Sequence, residues 1–445
     1  MKAYDLEANP SKVSEQTKQE GEVRSRWLWT EPSVWTERML AALETGVKGG
    51  KWFSLIDKVY SLENLQASFE KVSSNGGSAG VDHEGIKEYE KHLESNLERL
   101  SEQLRAGTYC PQAIRRVWIP KPGSREQRPL GIPTVRDRVV QTALRNVVEP
   151  IFEREFADNS YGFRPGRGCK DALREVDRLL KSGHGWVVDA DLRGYFDSIP
   201  KAKLKQRVTE RIADGRVLSL LEQFLQQEVL EEMKQWTPES GTPQGAVISP
   251  LLANVYLNPL DWKMRQEGLG MIRYADDFVI LCRDQAQAEG ALRLVQEWVK
   301  ENGLSLHPEK TSIVNWSGGE GFDFLGYHFE GGKRWPRRKS EKKFKDTIRQ
   351  KTPRCSGYGL QATIADINRT LKGWFEYYKH SHHNVFSSFD GWIRMRLRSI
   401  LRKRIGLKGR GRGADHQRWT NAYFAEQGLF SLVQAHAQAC QSAKR

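Results

Sequence analysis

Two adjacent carboxylates, Asp276 and Asp277, stand between the apolar runs at residues 271–274 and 278–282. These runs are rich in Ile, Tyr, Phe and Val, which favour strands, so the pair is expected at the tip of a β-hairpin. Two like charges side by side raise the free energy of ionising both, and a bound divalent cation relieves that repulsion. The pair therefore indicates a metal site, with an ordinary Asp-rich surface turn as the alternative.

A second acidic strand end lies upstream, where residues 186–191 read Trp-Val-Val-Asp-Ala-Asp. Side chains alternate along a strand, so Asp189 and Asp191 share one face, and periodicity alone does not say which is a ligand. Asp191 precedes Asp276 by 85 residues. A site that contains both requires two strands distant in sequence to be neighbours in one sheet, and hence a sizeable domain.

Five further segments combine turn residues with charged or aromatic side chains. The order in which they follow one another along the chain is more informative about function than any single segment. Alone, each is compatible with an ordinary turn. They are residues 121–133 (KPGSREQRPLGIP), 161–168 (YGFRPGRG), 240–254 (SGTPQGAVISPLLAN), 303–311 (GLSLHPEKT) and 322–327 (FDFLGY).

Taken in order, these segments resemble a reverse transcriptase, and their amino-acid sequences are most similar to those of the group II intron reverse transcriptase/maturase family. The resemblance covers residues 80–330 as ordered polymerase motifs and continues through the C-terminal region. It implies an α+β right-hand polymerase with fingers, palm and thumb, and a helical C-terminal thumb/maturase region. One departure is Ala246, where the family most often has a second glycine; the added methyl affects packing near primer or nucleotide, but no metal ligand.

The resemblance also implies a division of the chain into an N-terminal extension (1–80), fingers and palm (81–333), and a thumb and intron-RNA-binding maturase region (334–445). No endonuclease domain is expected, because the five cysteines form no Cys-x-x-Cys pair and no further domain's length follows. Apolar spacing predicts helices over residues 86–105, 134–157, 169–182, 201–234 and 285–302.

By resemblance, Asp191 and Asp276 are the principal ligands of two magnesium ions, and Asp277 is the third carboxylate of the set. Magnesium prefers hard oxygen ligands and keeps several waters, so a few carboxylates plus substrate phosphates suffice. Other residues are expected either adjacent to the metals, namely Leu192 and Lys310, or as supporting carboxylates, namely Asp189 and Asp197.

The resemblance implies that four residues bind the incoming nucleotide. Lys121 and Arg128 would grip the triphosphate, since phosphate oxygens accept charge-assisted hydrogen bonds from such side chains. Gln244 would contact the nucleotide, and Phe196 would lie beneath its sugar and exclude a ribose 2′-hydroxyl. The alternatives are a solvated basic loop for the two cations, a turn residue for Gln244, and plain core packing for Phe196.

The charge distribution points to a polyanionic partner. The net charge of the chain is +14. Residues 333–354 include eleven basic and two acidic residues, and residues 394–412 include nine basic residues and no acidic ones. The excess of positive charge in these two segments is larger than the net charge of the whole chain. Such a concentration of bases indicates RNA binding by the C-terminal region. The aromatic residues there either stack on unpaired bases or, as we prefer, form a helical core; they are Trp374, Phe375 and Tyr378, with Leu371 at the same helical spacing.

The sequence therefore predicts an RNA-directed DNA polymerase encoded by a group II intron. It would copy RNA into cDNA with magnesium, a DNA or RNA primer and dNTPs, and bind intron RNA to assist splicing and mobility. Two alternatives stay open: an RNA-binding splicing cofactor without polymerase function, and a retron, defence or repair reverse transcriptase of related ancestry. A cytoplasmic location without a membrane partner is expected, because the chain shows neither a secretory signal nor a membrane-spanning apolar stretch. The oligomeric state is not indicated.

Overall fold

The computed structural model describes residues 25–120, 127–355 and 357–442. The strands are β1 (Ile114–Pro120), β2 (Gln127–Ile132), β3 (Trp186–Asp191), β4 (Val229–Glu231), β5 (Lys234–Trp236), β6 (Gly270–Tyr274), β7 (Asp277–Cys282), β8 (Ser312–Asn315), β9 (Phe322–Phe324), β10 (Tyr327–Glu330) and β11 (Lys333–Pro336). The α-helices are α1 (Glu37–Thr45), α2 (Ile56–Val59), α3 (Leu62–Asn75), α4 (Ile86–Glu90), α5 (Leu93–Ala106), α6 (Val135–Glu153), α7 (Cys169–Lys181), α8 (Tyr195–Ser198), α9 (Lys201–Thr209), α10 (Gly215–Leu225), α11 (Ser249–Gln266), α12 (Gln285–Glu301), α13 (Arg338–Lys351), α14 (Leu360–Tyr378), α15 (Asn384–Arg404), α16 (Ala414–Arg418), α17 (Asn421–Glu426) and α18 (Leu432–Ser442).

The palm sheet is antiparallel, with strand order β6-β7-β3-β8. Its two central strands are distant in sequence and lie side by side, as the shared acidic site requires. Both faces are covered: Val188 and Ile280 belong to the core cluster that includes α11 and α12, while Val187 and Val279 pack toward α7 on the opposite face. Burial on both faces explains why these strands are nearly continuous apolar runs.

The fingers sheet has the order β2-β1-β4-β5. Strands β1 and β2 form an antiparallel hairpin, and β4 joins the other edge of β1 in parallel, with Ile114 opposite Val229. The predicted helix over residues 201–234 is wrong beyond α10, since the chain turns there into the β4–β5 hairpin, with Glu232 at φ 54° in its turn. Pairing with the distant strand β1 outweighs the local helix propensity of this segment.

A three-stranded sheet, β11-β10-β9, links the palm to the C-terminal helices. Phe322 and Phe329 stack within it, with ring centroids 5.0 Å apart. The predicted border between residues 333 and 334 falls inside β11, so the sheet continues across it.

Helices α13 to α18, which we call the thumb helices, pack around their own apolar core. Leu371 and Phe375 are buried in that core, and Trp374 is half-buried and stacks on Phe344 at a centroid distance of 4.6 Å. The preferred interpretation as a helical core is thereby confirmed for these three residues, whereas Tyr378 packs against the core of the three-stranded sheet. The three sheets and the helical C-terminal region confirm the predicted α+β right-hand fold. Within the described ranges, no helix is long and apolar enough to span a bilayer.

Candidate active site

The carboxylates of the β6–β7 hairpin and of β3 meet at one end of the palm sheet. Asp277 begins β7 and lies directly opposite Asp191, the last residue of β3. Directly opposed residues of an antiparallel pair project to the same face, so these two carboxylates share one side of the sheet. Asp276 precedes Asp277 in the connection, where Ala275 adopts a left-handed conformation with φ 61°. The expected hairpin tip is confirmed, and all three carboxylates lie at the same end of the palm sheet.

Burial and mutual repulsion disfavour full ionisation of this cluster. Burial, followed by the charges of Asp276 and Asp191, raises the pKa of Asp277 to about 7. The pKa of Asp276 is also raised, first by burial and then by Asp191, although its own backbone N–H opposes the shift. Burial together with Asp277, Asp323 and Asp191 raises the pKa of Asp189 to about 7. A positive ion at this end of the sheet would favour the ionised forms.

Residues after α12 support Asp191 from the other side. The Lys310 ammonium lies 2.5 Å from Asp191 Oδ2, and the backbone N–H of His307 donates to the Asp191 carbonyl at 2.8 Å. Leu192 is buried and forms a bridge with Leu306. Both expected neighbours, Lys310 and Leu192, therefore lie beside Asp191.

Two of the residues assigned to the nucleotide, Phe196 and Gln244, lie in α8 and in a loop that is hydrogen-bonded to α8. Phe196 in α8 is half-buried and meets the exposed ring of Phe163 edge to face, with centroids 6.5 Å apart. The Gln244 amide donates to Asp197 Oδ2 at 2.9 Å, and Gly131 N–H donates to the Gln244 carbonyl at 2.6 Å. The loop that carries Gln244 is thus tied to the fingers sheet and to α8.

The fingers hairpin carries one of the two cations that are expected to bind phosphate. Arg128 is exposed in β2 and lies opposite Ile119 of β1. Lys121 falls outside the described residues.

A cleft of about 670 Å³ opens between the palm and the thumb helices beside Asp277. Its palm side includes Gly326 after β9, and its thumb side includes Arg337 and Lys343 at the start of α13. The cleft therefore combines a carboxylate at the hairpin tip with bases suited to phosphate groups.

Sequence reasoning missed a buried polar network behind the hairpin. Arg273 in β6 and Asp261 in α11 are both almost fully buried and form a bidentate ion pair, with hydrogen bonds of 2.8 and 2.5 Å. Burial opposes the charge on Arg273, but Asp261 outweighs it and holds the pKa of the guanidinium above its usual value. The signal was present, since an arginine inside an apolar strand requires a buried partner.

In the described part of the chain, no group of three or more His, Cys, Asp or Glu side chains is gathered closely enough to hold a metal ion by itself. The donor set at the hairpin nevertheless fits a hard cation. Its atoms are carboxylate oxygens, which Mg²⁺ prefers, and a cation would offset the repulsion that raises their pKa values.

Residues 119–329 match the model of the family described as reverse transcriptase (RNA-dependent DNA polymerase), and residues 341–419 match that of the group II intron, maturase-specific domain. The chain is 42% identical over 168 residues to group II intron-encoded protein LtrA of Lactococcus lactis subsp. cremoris, covering 38% of this chain and 28% of LtrA. It is 31% identical over 341 residues to protein YkfC of Escherichia coli (strain K12), covering 68% of this chain and 85% of YkfC.

Among solved structures, a chain of a partial Cas6-RT-Cas1–Cas2 complex is 24% identical with a TM-score of 0.35, covering 56% of this chain and 41% of that chain. Of the two sequence relatives, this chain matches little more than a quarter of the length of LtrA but most of the length of YkfC. Reverse transcriptases of the matched family generally use divalent metal ions. From the two family models and these relatives, the chain belongs to the group II intron reverse transcriptase/maturase family.

Proposed function

We propose that this protein is an RNA-directed DNA polymerase that extends a DNA or RNA primer on an RNA template. The observation that carries the proposal is the strand register that sets Asp191 opposite Asp277, with Asp276 at the adjoining hairpin tip. Three carboxylates at one end of a sheet, beside a cleft lined with bases, suit the transfer of a nucleotide to a primer.

In this proposal, Asp191 and Asp276 are the principal ligands of two magnesium ions, and Asp277 completes the carboxylate set. When bound, the ions would activate the primer hydroxyl and stabilise the leaving pyrophosphate. Asp189 lies farther along β3, opposite Val279, and would act through its charge on the neighbouring carboxylates rather than as a ligand. Lys310 would hold Asp191 in place through their ion pair and move aside when a cation enters.

The nucleotide would lie between the fingers sheet and α8. Arg128 and Lys121 would bind the triphosphate of a dNTP, and Gln244 would contact the nucleotide from the loop before α11. Phe196 would pack against the sugar, where its ring leaves no room for a 2′-hydroxyl. Its half-buried position and its contact with Phe163 support this role, because part of the ring stays open to a ligand.

The primer–template duplex would occupy the cleft between palm and thumb helices. Arg337, Lys339 and Lys343 line the thumb side of this cleft, within reach of a phosphate backbone that ends near Asp277. Contacts to phosphates fix the position of a duplex without reading its sequence.

We further infer that the C-terminal region binds the RNA of a parent intron and assists its splicing and mobility in the cytoplasm. The match of residues 341–419 to the maturase-specific domain and the excess of bases in residues 394–412 support this second activity. Protein contacts that favour the folded intron shift its population in proportion to their differential affinity for that state. This activity needs no carboxylate.

Primer extension on an RNA template with dNTPs and Mg²⁺ tests the polymerase. The wild type should extend the primer, whereas Asp276→Asn should lose more than about 100-fold of the rate because a metal ligand is lost. Binding of the same RNA, measured by fluorescence anisotropy, should stay nearly unchanged.

The matched control is Asp323→Asn, which removes a neighbouring exposed carboxylate that accepts a hydrogen bond from His328. This variant should extend the primer at close to the wild-type rate. Substantial extension by Asp276→Asn would reject the ligand assignment. A folded wild type that binds RNA but does not extend would favour the splicing cofactor.

A further inference from the structure

The side chain of Arg273 in β6 contacts the backbone of the turn that joins β6 to β7. Its side chain is 1% exposed and lies three positions before Asp276. Nε and Nη2 donate to the two oxygens of Asp261, while Nη1 donates to Asn254 Oδ1 at 2.9 Å and to the Ala275 carbonyl at 2.8 Å. One guanidinium therefore joins two positions of α11 to the turn that precedes both hairpin carboxylates.

The turn it contacts has an unfavourable backbone conformation. Ala275 has φ 61°, a left-handed conformation that costs free energy in a residue with a Cβ atom. Such conformations persist where surrounding contacts determine them, and they concentrate at functional sites. The hydrogen bond from Arg273 to the Ala275 carbonyl is such a contact.

Residues 159–162 pack against the same hairpin from its other side. Arg273 N–H donates to the Asn159 carbonyl, and Tyr161 N–H donates to the Arg273 carbonyl, both at 2.9 Å. Asn254 Nδ2 donates to the Gly162 carbonyl at 2.8 Å. A Cβ atom on Gly162 would lie only 2.3 Å from Ala275 N, so this backbone closely confines the turn.

We propose that Arg273 is a positioning residue that holds the Ala275 turn in its left-handed conformation and thereby aims Asp276 and Asp277 at the cleft. Asn254 aligns the guanidinium with the Gly162 backbone, and Asp261 neutralises it. The inference rests on the proposed polymerase function, because its catalytic consequence is read through that reaction.

The geometry requires arginine rather than any buried cation. The planar guanidinium donates four hydrogen bonds to three residues, Asp261, Asn254 and Ala275. A lysine ammonium on a flexible side chain cannot reproduce this arrangement. Arg273→Ala would leave Asp261 buried without this partner and strongly destabilise the fold. Arg273→Lys keeps a positive charge beside Asp261 but removes the planar set of hydrogen-bond donors. This variant therefore separates the positioning of the turn from the neutralisation of Asp261.

Single-nucleotide addition by Arg273→Lys provides the first test. The maximal rate should fall at least about tenfold while the dNTP concentration at half-maximal rate changes less than about threefold, as expected when an alignment is lost and nucleotide binding is kept. The matched control is Arg207→Lys, since Arg207 donates to the Tyr256 carbonyl and to Asn302 without contacting the hairpin. It should lose thermal stability without this loss of rate.

A double-mutant cycle with Ala275→Gly tests whether Arg273 acts on activity through the conformation of the turn. If Arg273 only stabilised the fold, the two substitutions would affect activity independently. Glycine adopts the left-handed conformation without the steric cost, so it should compensate for the lost hydrogen bond. The double variant Arg273→Lys/Ala275→Gly should be at least about threefold more active than the product of the two single effects. Strict multiplicativity would overturn the inference.

Metal binding gives a test that is independent of turnover. Mn²⁺ titrated into the protein without substrates, and followed by its electron paramagnetic resonance signal, should bind at least about threefold more weakly to Arg273→Lys than to wild type or Arg207→Lys. If Arg273→Lys fails to fold, Asn254→Ala takes its place in the measurements of rate and of Mn²⁺ binding, with a smaller loss in the same direction.

The outcomes separate the two proposals. Extension by the wild type together with unchanged rate and unchanged Mn²⁺ affinity in Arg273→Lys would overturn the positioning role and leave the polymerase intact. Absence of extension by a folded wild type would instead overturn the proposed function, while weaker Mn²⁺ binding by Arg273→Lys would still support the positioning of the carboxylates.

Discussion

Asp189 and Asp191 are equivalent by sequence, because both alternate with apolar residues on one face of a strand. The structure distinguishes them by their partners: Asp191 lies opposite Asp277 at the end of the sheet, and Asp189 lies opposite Val279. Raised pKa values at Asp189 and Asp277 follow from burial first and from neighbouring carboxylates second. A cation at the sheet end would lower both pKa values.

Phe196→Ala should weaken the discrimination against ribonucleotides. Removal of the half-buried ring would open space beneath the sugar, so rNTP incorporation relative to dNTP incorporation should rise at least about tenfold, which corresponds to the loss of about 1.4 kcal/mol of discrimination. Competition between labelled dNTP and rNTP in single-nucleotide extension measures this ratio.

Phe196→Tyr is the control, because it keeps the ring in α8 and adds only a hydroxyl. This variant should retain the wild-type preference for dNTPs. An unchanged dNTP/rNTP ratio in Phe196→Ala would return Phe196 to the interpretation of core packing.

The β6–β7 hairpin depends on elements that are far from it in sequence. Sequence patterns were sufficient to predict the β6–β7 hairpin, because Asp276 and Asp277 interrupt two β-prone runs. They were insufficient for Arg273, whose partners Asp261 and Asn254 are found only once α11 is packed against β6. The β4–β5 hairpin was hidden for the same reason, since its pairing partner is the distant strand β1.

Gly162→Ala should disturb the β6–β7 hairpin directly. The added Cβ would lie 2.3 Å from Ala275 N and 2.8 Å from the Tyr274 carbonyl carbon, and backbone atoms at such distances must move. Primer extension should fall at least about tenfold, as expected for a small displacement of aligned groups.

Gly168→Ala is a control from the same 161–168 segment. Its Cβ would meet only Asp171 Oδ2, at 3.9 Å, and its φ of −152° is extended backbone. Extension should stay within about threefold of wild type, since the N-cap position of α7 accepts alanine at a modest cost in stability. Equal losses in the two variants would show that the close approach at Gly162 has no specific effect on catalysis.

Asp214 joins the N-terminal helices to α10. It caps α10 by accepting from the N–H groups of Arg216 and Val217, and its other oxygen accepts from Leu55 and Ile56. Asp214→Ala should lower the free energy of unfolding by about 1–3 kcal/mol, because a cap and two further hydrogen bonds are lost. Urea denaturation measures the difference.

The pH dependence of this difference has a defined sign. Burial opposes ionisation of Asp214, but the four backbone donors outweigh it and hold the pKa of the carboxyl below its usual value. A lowered pKa stabilises the folded state above the unfolded-state value, about 3.9 for Asp, and that contribution disappears as the pH falls through the folded-state value. The gap between wild type and Asp214→Ala should therefore shrink on acidification below about pH 4, and a gap that widens would contradict the assignment.

At the scale of the whole molecule, the palm and thumb helices are joined by polar contacts across a shared apolar surface. Tyr327 Oη donates to the Tyr377 carbonyl, and Tyr377 Oη donates to the Leu325 carbonyl, both at 2.6 Å. Lys170 and Glu376 add an exposed ion pair of 2.8 Å, which contributes little by itself. The hydrogen bonds therefore hold the C-terminal end of α14 against the three-stranded sheet, beside the cleft that contains Asp277.

The basic charge predicted from sequence is only partly available to a ligand. Arg398 is buried and donates to the Trp419 carbonyl, and Arg402 pairs with Asp415 at 2.7 Å. By contrast, Lys403, Lys408 and Arg410 are exposed at and after the end of α15. A count of charges along the chain cannot separate the two groups, because the separation depends on the packing of α15 against α16 and α17.

Replacing Lys403, Lys408 and Arg410 together with glutamine should weaken RNA binding and its dependence on salt. Each lost phosphate contact lowers the slope of log affinity against log salt by about 0.7–0.9, so three lost contacts should lower it by about 2. Fluorescence anisotropy with a structured intron RNA, across a series of salt concentrations, measures the slope. Extension of a short pre-annealed primer–template should change little, because these residues lie outside the cleft beside Asp277.

A matched triple variant removes the same charges from the N-terminal helical region, by replacing the exposed Lys51, Lys87 and Arg99 with glutamine. Both variants change the net charge equally, so a long-range effect of total charge would lower their salt slopes alike. A local binding surface would lower only the slope of the C-terminal variant. Equal slopes in the two variants would therefore contradict RNA binding at the end of α15, whereas a difference of about 2 would place the phosphate contacts there.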